Sequence, residues 1–294
     1  MAKYLITGSN GQVGYCLTQQ LTGKAEILAV DRDQLDITDR AAVFAAVEAF
    51  RPDVIINAAA HTAVDKAESE AELSAAINVN GAQYLAEAAA QQGALMMHIS
   101  TDYVFDGQAA ADYAYKESDP VDPQGVYGQT KLDGEIAVAA ANPRHIIMRT
   151  AWVFGEHGNN FVKTMIRLGK QRDSLGIVGD QFGGPTYAGD IAAALIHMAE
   201  QILAGKENAY GVYHFSGQPY VSWFEFAQAI FARAEAAGVL DKQPQLNAIT
   251  TADYPTPAKR PANSRLDLSK IQTAFGIAPS DWQKALENIQ AYAV

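Results

Sequence analysis

The sequence predicts an α/β fold, a doubly wound parallel sheet followed by a smaller, interrupted C-terminal lobe. Three observations point there. Short, nearly continuous apolar runs alternate with longer helical stretches through the first 150 residues. A set of spaced glycines directly follows the first apolar run. Beyond residue 150 glycines, prolines and loops become denser, as in a lobe added to a sheet.

Strands are expected at 3–7, 26–30, 53–57, 95–100 and 145–150, nearly continuous apolar runs rather than alternating ones, as befits strands covered on both faces. Between them, Val43, Phe44, Val47 and Phe50 share one face of a helix over 40–50, with Asp39 placed to cap it. The Ala-rich stretch 71–91 reads as a helix. Repeated β-α units imply right-handed crossovers and a parallel sheet. Residues 155–160 and 180–187 read as loops, and a helix over 190–204 packs on the sheet. Ser222 and Glu225 form a capping box opening a helix over 223–236, and 280–283 repeats that signal before the last helix. Three prolines make 254–261 a loop. The expected division is 1–150 with roughly 175–215 in a dinucleotide-binding part, and 151–174 with 216–294 in a substrate lobe across the carboxyl edge of the sheet.

Of the 294 residues, 49% are hydrophobic and 19% charged, which supports a large core and excludes wholesale disorder. A net charge of −11 disfavours nucleic acid and anionic membranes as partners. With Cys16 alone, neither an intramolecular disulfide nor a Cys-pair zinc motif can form. The first apolar run is too short for a signal-peptide core, and no run approaches the roughly 18 apolar residues of a membrane span. The expectation is a soluble cytoplasmic protein.

The glycines stand in Gly8-Ser9-Asn10-Gly11-Gln12-Val13-Gly14, between the first strand and the first helix. At this spacing they allow a sharp turn, a close backbone approach to a pyrophosphate and tight helix packing, and the helix amino terminus offers free N–H groups to phosphate. A Rossmann-type dinucleotide site is the reading. Asp31, ending the second strand, is placed to bind an adenosine ribose. Arg32 is placed to meet a 2′-phosphate, so NADPH or NADH is the expected cofactor. Asp36 and Ile37 are placed to flank the adenine.

Tyr127 and Lys131 are four residues apart and share one helix face. A lysine ammonium beside a phenol lowers its pKa from about 10, making Tyr127 a proton donor usable near neutrality. A further hydroxyl, from Ser100 or Thr101 at the end of the fourth strand, would donate to the substrate carbonyl. Strand alternation lets only one of the two face it.

The glycine loop with Tyr-x-x-x-Lys resembles the extended short-chain dehydrogenase/reductase superfamily. More narrowly, the segments 57–68, 100–105, 127–131, 158–161, 180–186 and 260–264 are similar to those of the dTDP-4-dehydrorhamnose reductase family, in order along essentially the whole chain. The resemblance implies NAD(P)H-dependent reduction of a dTDP-linked 4-keto-6-deoxy sugar to dTDP-L-rhamnose. It implies a catalytic set of Thr101, Tyr127 and Lys131. With the glycine-loop reading, Gly8, Gly11, Gln12, Val13, Gly14, Asp31, Arg32, Asp36, Ile37, Ala60, His61 and Thr62 would bind cofactor, as would Tyr127 and Lys131, the lysine holding the nicotinamide ribose. Thr101, Asp102 and Trp152 would touch the substrate. It also makes a homodimer an expected assembly; no acidic cluster suggests a metal site, and none is expected.

Among Lys163, Arg167, Lys259, Arg260 and Arg265, the constrained Arg260 beside Pro261 is the preferred diphosphate ligand. His98, His145, His197 and His214 show no metal-ligand spacing and are read as structural. Two other functions remain open on sequence: a different nucleotide-sugar 4-ketoreductase or epimerase on this scaffold, and a non-catalytic subunit of the methionine adenosyltransferase regulatory type.

Overall fold

The computed structural model describes residues 1–206 and 208–293. Five strands, β1 (Lys3–Thr7), β2 (Glu26–Val30), β3 (Val54–Asn57), β4 (Leu95–Thr101) and β5 (His145–Thr150), are joined at the β5 edge by Gly211–His214. All pairings are parallel, in the order Gly211–His214, β5, β4, β3, β1, β2. The chain leaves β1 toward β2 on one side and β3 on the other. That reversal opens a crevice at the carboxyl ends of β1 and β3, where open parallel sheets bind ligands.

Alternate strand residues feed two cores. Tyr4, Ile6, Ile56, Met97 and Met148 face one side, with helices Gln12–Leu21 and Ala188–Leu203 above them. Leu5, Ile55, Met96 and Ile147 face the other, under Arg40–Phe50, Ala82–Gln92 and Val126–Ala141. A third cluster, around Phe154, Phe226, Phe231, Trp282 and Tyr292, lies among C-terminal elements. Leu266, Leu268, Ile271 and Phe275, from the stretch expected in the lobe, pack into the first sheet core instead.

Asp39 caps Arg40–Phe50, accepting from the Ala42 N–H at 3.1 Å. The Ser222–Glu225 box opens Trp223–Ala236. Other boundaries differ from expectation. β3 begins at Val54 because the Asp53 carboxylate accepts the Lys3 N–H. The helix expected over 71–91 is three pieces, Ala71–Ala75, a π-helical turn Ala76–Gly81 and Ala82–Gln92. Buried Asn78 sits in that turn, and Gly81 there lets Ile37 approach where a Cβ would stand 2.7 Å from its side chain. Ser280 does not cap the last helix. Its hydroxyl donates to Asp190 and accepts the Tyr187 N–H, and Asp281 caps instead, through the Lys284 N–H.

Candidate active site

A cavity of about 1260 Å³ runs from the glycine loop, past the ends of β3, β4 and β5, to Trp223 and Tyr254. Its dinucleotide end is built from backbone. Gly8 has φ +69°, and a Cβ on it would stand 2.7 Å from the Ala58 and Ala59 main chain. Gly11, Gln12 and Val13 line the cavity. The helix Gln12–Leu21 has no side-chain cap, so its first amides remain available to an anion. These features fit a dinucleotide pyrophosphate. Gly14 supplies the tight helix packing expected of this loop: it packs the helix on the turn, where a Cβ would come 2.1 Å from the Gly8 carbonyl oxygen, and it does not itself line the cavity. Gly14→Ala is therefore expected to cost about 1–3 kcal/mol by overpacking. Urea unfolding would read that loss, and a fluorescence titration with NADPH would show weaker binding.

Asp31, Arg32, Asp36 and Ile37 all line this end. The Asp31 carboxylate accepts the backbone N–H groups of Asn10 at 2.9 Å and Arg32 at 2.7 Å, tying the glycine loop to β2. Asp36 closes a local turn onto Thr38, whose hydroxyl and N–H hold its carboxyl below the usual range.

After β3, Ala60 and Thr62 line the cavity while His61 does not. Successive residues of an extended segment point oppositely. The His61 ring lies between Ser74 Oγ at 2.9 Å and Glu70 Oε2 at 3.0 Å, and the His61 backbone N–H donates to Asn78 Oδ1 at 2.8 Å. These bonds hold the loop after β3 against the π turn.

Thr101, Asp102, Tyr127 and Lys131 meet at the middle of the cavity. Gly128 lets the helix Val126–Ala141 start close against Tyr103, with a Cβ position 2.3 Å from the Tyr103 oxygen. Thr101 Oγ1 donates to Asp102 Oδ1 at 3.1 Å. Ser100 also borders the cavity, its Oγ buried without a partner. The expected acidification of Tyr127 by Lys131 is not what the geometry gives. Burial pushes the phenol up to about 12, the Thr101 hydroxyl works against this, and the Asp102 charge adds to it. Desolvation outweighs the hydrogen bond, and the Lys131 Nζ is drawn off to the Ile99 carbonyl, to which it donates at 2.7 Å. The phenol is thus protonated at neutral pH, the form a proton donor needs. Burial brings Lys131 itself down to about 8, against the pull of Glu135. Asp102 is raised to about 6 by burial, opposed by Ser264 and Thr101, and its Oδ2 is buried without a partner.

At the far end, Trp152 adopts φ +49° and stacks on Trp223 at 3.5 Å between centroids. A left-handed tryptophan is a costly conformation, held here by that stack and by Gly183, whose missing Cβ would stand 2.7 Å from the indole. Arg260 lines the cavity. Its Nη2 donates to Asp65 at 2.7 Å, and its Nη1 is buried without a partner. Lys163, Arg167, Lys259 and Arg265 do not line it; Lys259 binds Gln124, and Arg265 lies over Phe182. Sequence reasoning missed Trp223, hidden behind its role as first residue of a capped helix, and Ser264 beside Asp102. Among the described residues no helix is long and apolar enough to cross a membrane.

The fold and site define an extended short-chain dehydrogenase/reductase, an NAD(P)H-dependent oxidoreductase. Residues 2–293 match the family model described as RmlD substrate binding domain. A dTDP-4-dehydrorhamnose reductase from Aggregatibacter actinomycetemcomitans is 57% identical over the full length of both chains. The Escherichia coli K12 enzyme of that name is 41% identical, covering 97% of this chain and 96% of its own. Among solved structures, dTDP-4-dehydrorhamnose reductase from Clostridium acetobutylicum aligns with TM-score 0.90 at 42% identity, covering 98% of each chain. The Bacillus anthracis enzyme in complex with NADP aligns with TM-score 0.90 at 36% identity, covering 99% of each. The chain belongs to the dTDP-4-dehydrorhamnose reductase family.

Proposed function

We propose that the chain reduces the 4-keto group of dTDP-4-dehydro-β-L-rhamnose to give dTDP-L-rhamnose, with NADPH or NADH, Tyr127 donating the proton. The observation that carries this is one continuous cavity bordered by the glycine loop, by Thr101, Tyr127 and Lys131, and by the Trp152–Trp223 stack. The reduced nicotinamide, when bound, supplies the hydride. Gly8, Gly11, Gln12, Val13, Asp31, Arg32, Asp36, Ile37, Ala60 and Thr62 would hold the dinucleotide.

The protein's own groups do the rest. The Thr101 hydroxyl orients the ketone oxygen, and Tyr127 gives its O–H proton to the developing alkoxide. Asp102 Oδ2 accepts from a sugar hydroxyl, which satisfies a buried acceptor. Arg260 Nη1 meets the diphosphate, and the Trp152 face packs on the sugar. The lobe is taken as the elements around Phe226 and Trp282, closing over the sheet edge, and the working compartment as the cytoplasm.

The test incubates purified protein and NADPH or NADH with a panel of 4-keto sugar nucleotides. Loss of reduced-nicotinamide absorbance with the dTDP-linked 4-keto-6-deoxy sugar is expected. No loss with that sugar, or turnover only of another keto sugar, would defeat the assignment; co-purification of a partner enzyme without turnover would favour a binding subunit.

A further inference from the structure

Thr7, Asn57 and His98 form a polar chain that leads to Lys131 and lies outside the cavity lining. All three are essentially fully buried. Asn57 fixes its pattern. One side-chain atom accepts from the Thr7 hydroxyl at 2.7 Å and from the Ala59 backbone N–H at 3.1 Å. A backbone N–H only donates, so this atom is the amide oxygen and the other is the nitrogen. Asn57 Nδ2 lies 3.1 Å from His98 Nδ1, which must accept. A neutral imidazole accepting at Nδ1 carries its proton on Nε2. His98 Nε2 stands 3.5 Å from Lys131 Nζ.

An N–H aimed at an ammonium sets two donors against each other. Aimed at a neutral amine, it meets a lone pair. Lys131 Nζ also donates to the Ile99 carbonyl, a bond that an amine with two hydrogens can still make. Burial, with the Lys131 charge adding to it, holds His98 well below its ordinary range, so the ring does not compete for the proton.

We propose that His98 is a positioning residue for the proton step, its Nε2–H anchored by Asn57 and Thr7 and favouring the form of Lys131 that has given up a proton. The proposal rests on Tyr127 being the proton donor. The Tyr127 O–H bond breaks as the sugar hydroxyl forms. The phenolate then takes back a proton from Lys131 through solvent in the cavity both residues line, leaving an amine whose lone pair accepts from His98. A solvent proton restores the ammonium, and His98 keeps its own proton throughout. Burial lowers Lys131 and Glu135, from its own helix, opposes this; His98 from β4 faces its Nζ, Arg149 from β5 is paired with Glu135, and Tyr127 and Asp102 line the same cavity. Those facing His98 are Lys131 and the uncharged Asn57.

The test uses the free full-length protein labelled with 15N-histidine and 13C-lysine. His98 is expected to show an unprotonated Nδ1 and a protonated Nε2, unchanged from about pH 5.5 to 9. One lysine signal, absent in Lys131→Met, should titrate near pH 8. In His98→Met that titration should move up by about one pH unit, and in His98→Gln, which keeps an N–H, by less than about half a unit. In turnover the basic limb of the kcat profile should move with it while KM stays within about twofold. A ring protonated on Nδ1 overturns the proposal, and so does an unmoved Lys131 titration in folded His98→Met. The wild-type spectrum decides even where that variant does not fold. A wild-type protein with the expected tautomer and titration that turns over no keto sugar would uphold the arrangement and strike only the functional reading.

Discussion

Replacing Tyr127 with phenylalanine is expected to lower kcat by about 10²–10⁴-fold while leaving NADPH affinity nearly unchanged. The change removes one oxygen from a ring that keeps its edge contact with Tyr103, at 5.4 Å between centroids. The dinucleotide end of the cavity is built from Gly8, Gly11, Gln12 and Val13 on other elements, so the cofactor loses little. Steady-state kinetics with a fluorescence titration of NADPH separates the two quantities. Turnover within about threefold of wild type would remove Tyr127 from the proton step.

The second large effect concerns stability. Glu135→Ala is expected to lower the unfolding free energy by about 3–5 kcal/mol, read from urea unfolding. Glu135 and Arg149 form a buried two-fold ion pair, at 2.9 and 2.6 Å, with side chains only 4% and 5% exposed. Arg149 Nη1 already lacks a partner, so removing Glu135 strands a guanidinium in the interior. It also withdraws the one charge that supports the Lys131 ammonium. A double replacement, Glu135→Met with Arg149→Met, leaves no stranded charge and should cost clearly less than Glu135→Ala. Equal losses would assign the effect to packing.

The parts of this molecule written in local pattern were legible. The apolar runs at 3–7, 26–30 and 145–150 became β1, β2 and β5 with unchanged limits, because a strand covered on both faces has a composition of its own. Asp39 and Ser222 capped the helices they precede, since a cap depends on residues three apart. Side-chain direction was not legible. His61 sits between two cavity residues and turns away from both, held by Ser74 and Glu70, which lie nine or more positions further on. Ser280 carried the pattern of a cap, yet Asp190 claimed its hydroxyl from ninety residues away. The direction of the Tyr127 pKa, expected below and found above its ordinary value, was missed for the same reason. Spacing gives proximity along a helix, whereas burial comes from strands and loops distant in sequence.

The π turn at Ala76–Gly81 makes the register of the chain there matter more than its composition. Asn78, inside it, reaches both the His61 backbone and Thr130 Oγ1. Loss of a single codon from this turn would restore ordinary helical winding and swing the amide away from both partners at once, so evolution can exchange residues around it far more freely than it can delete one.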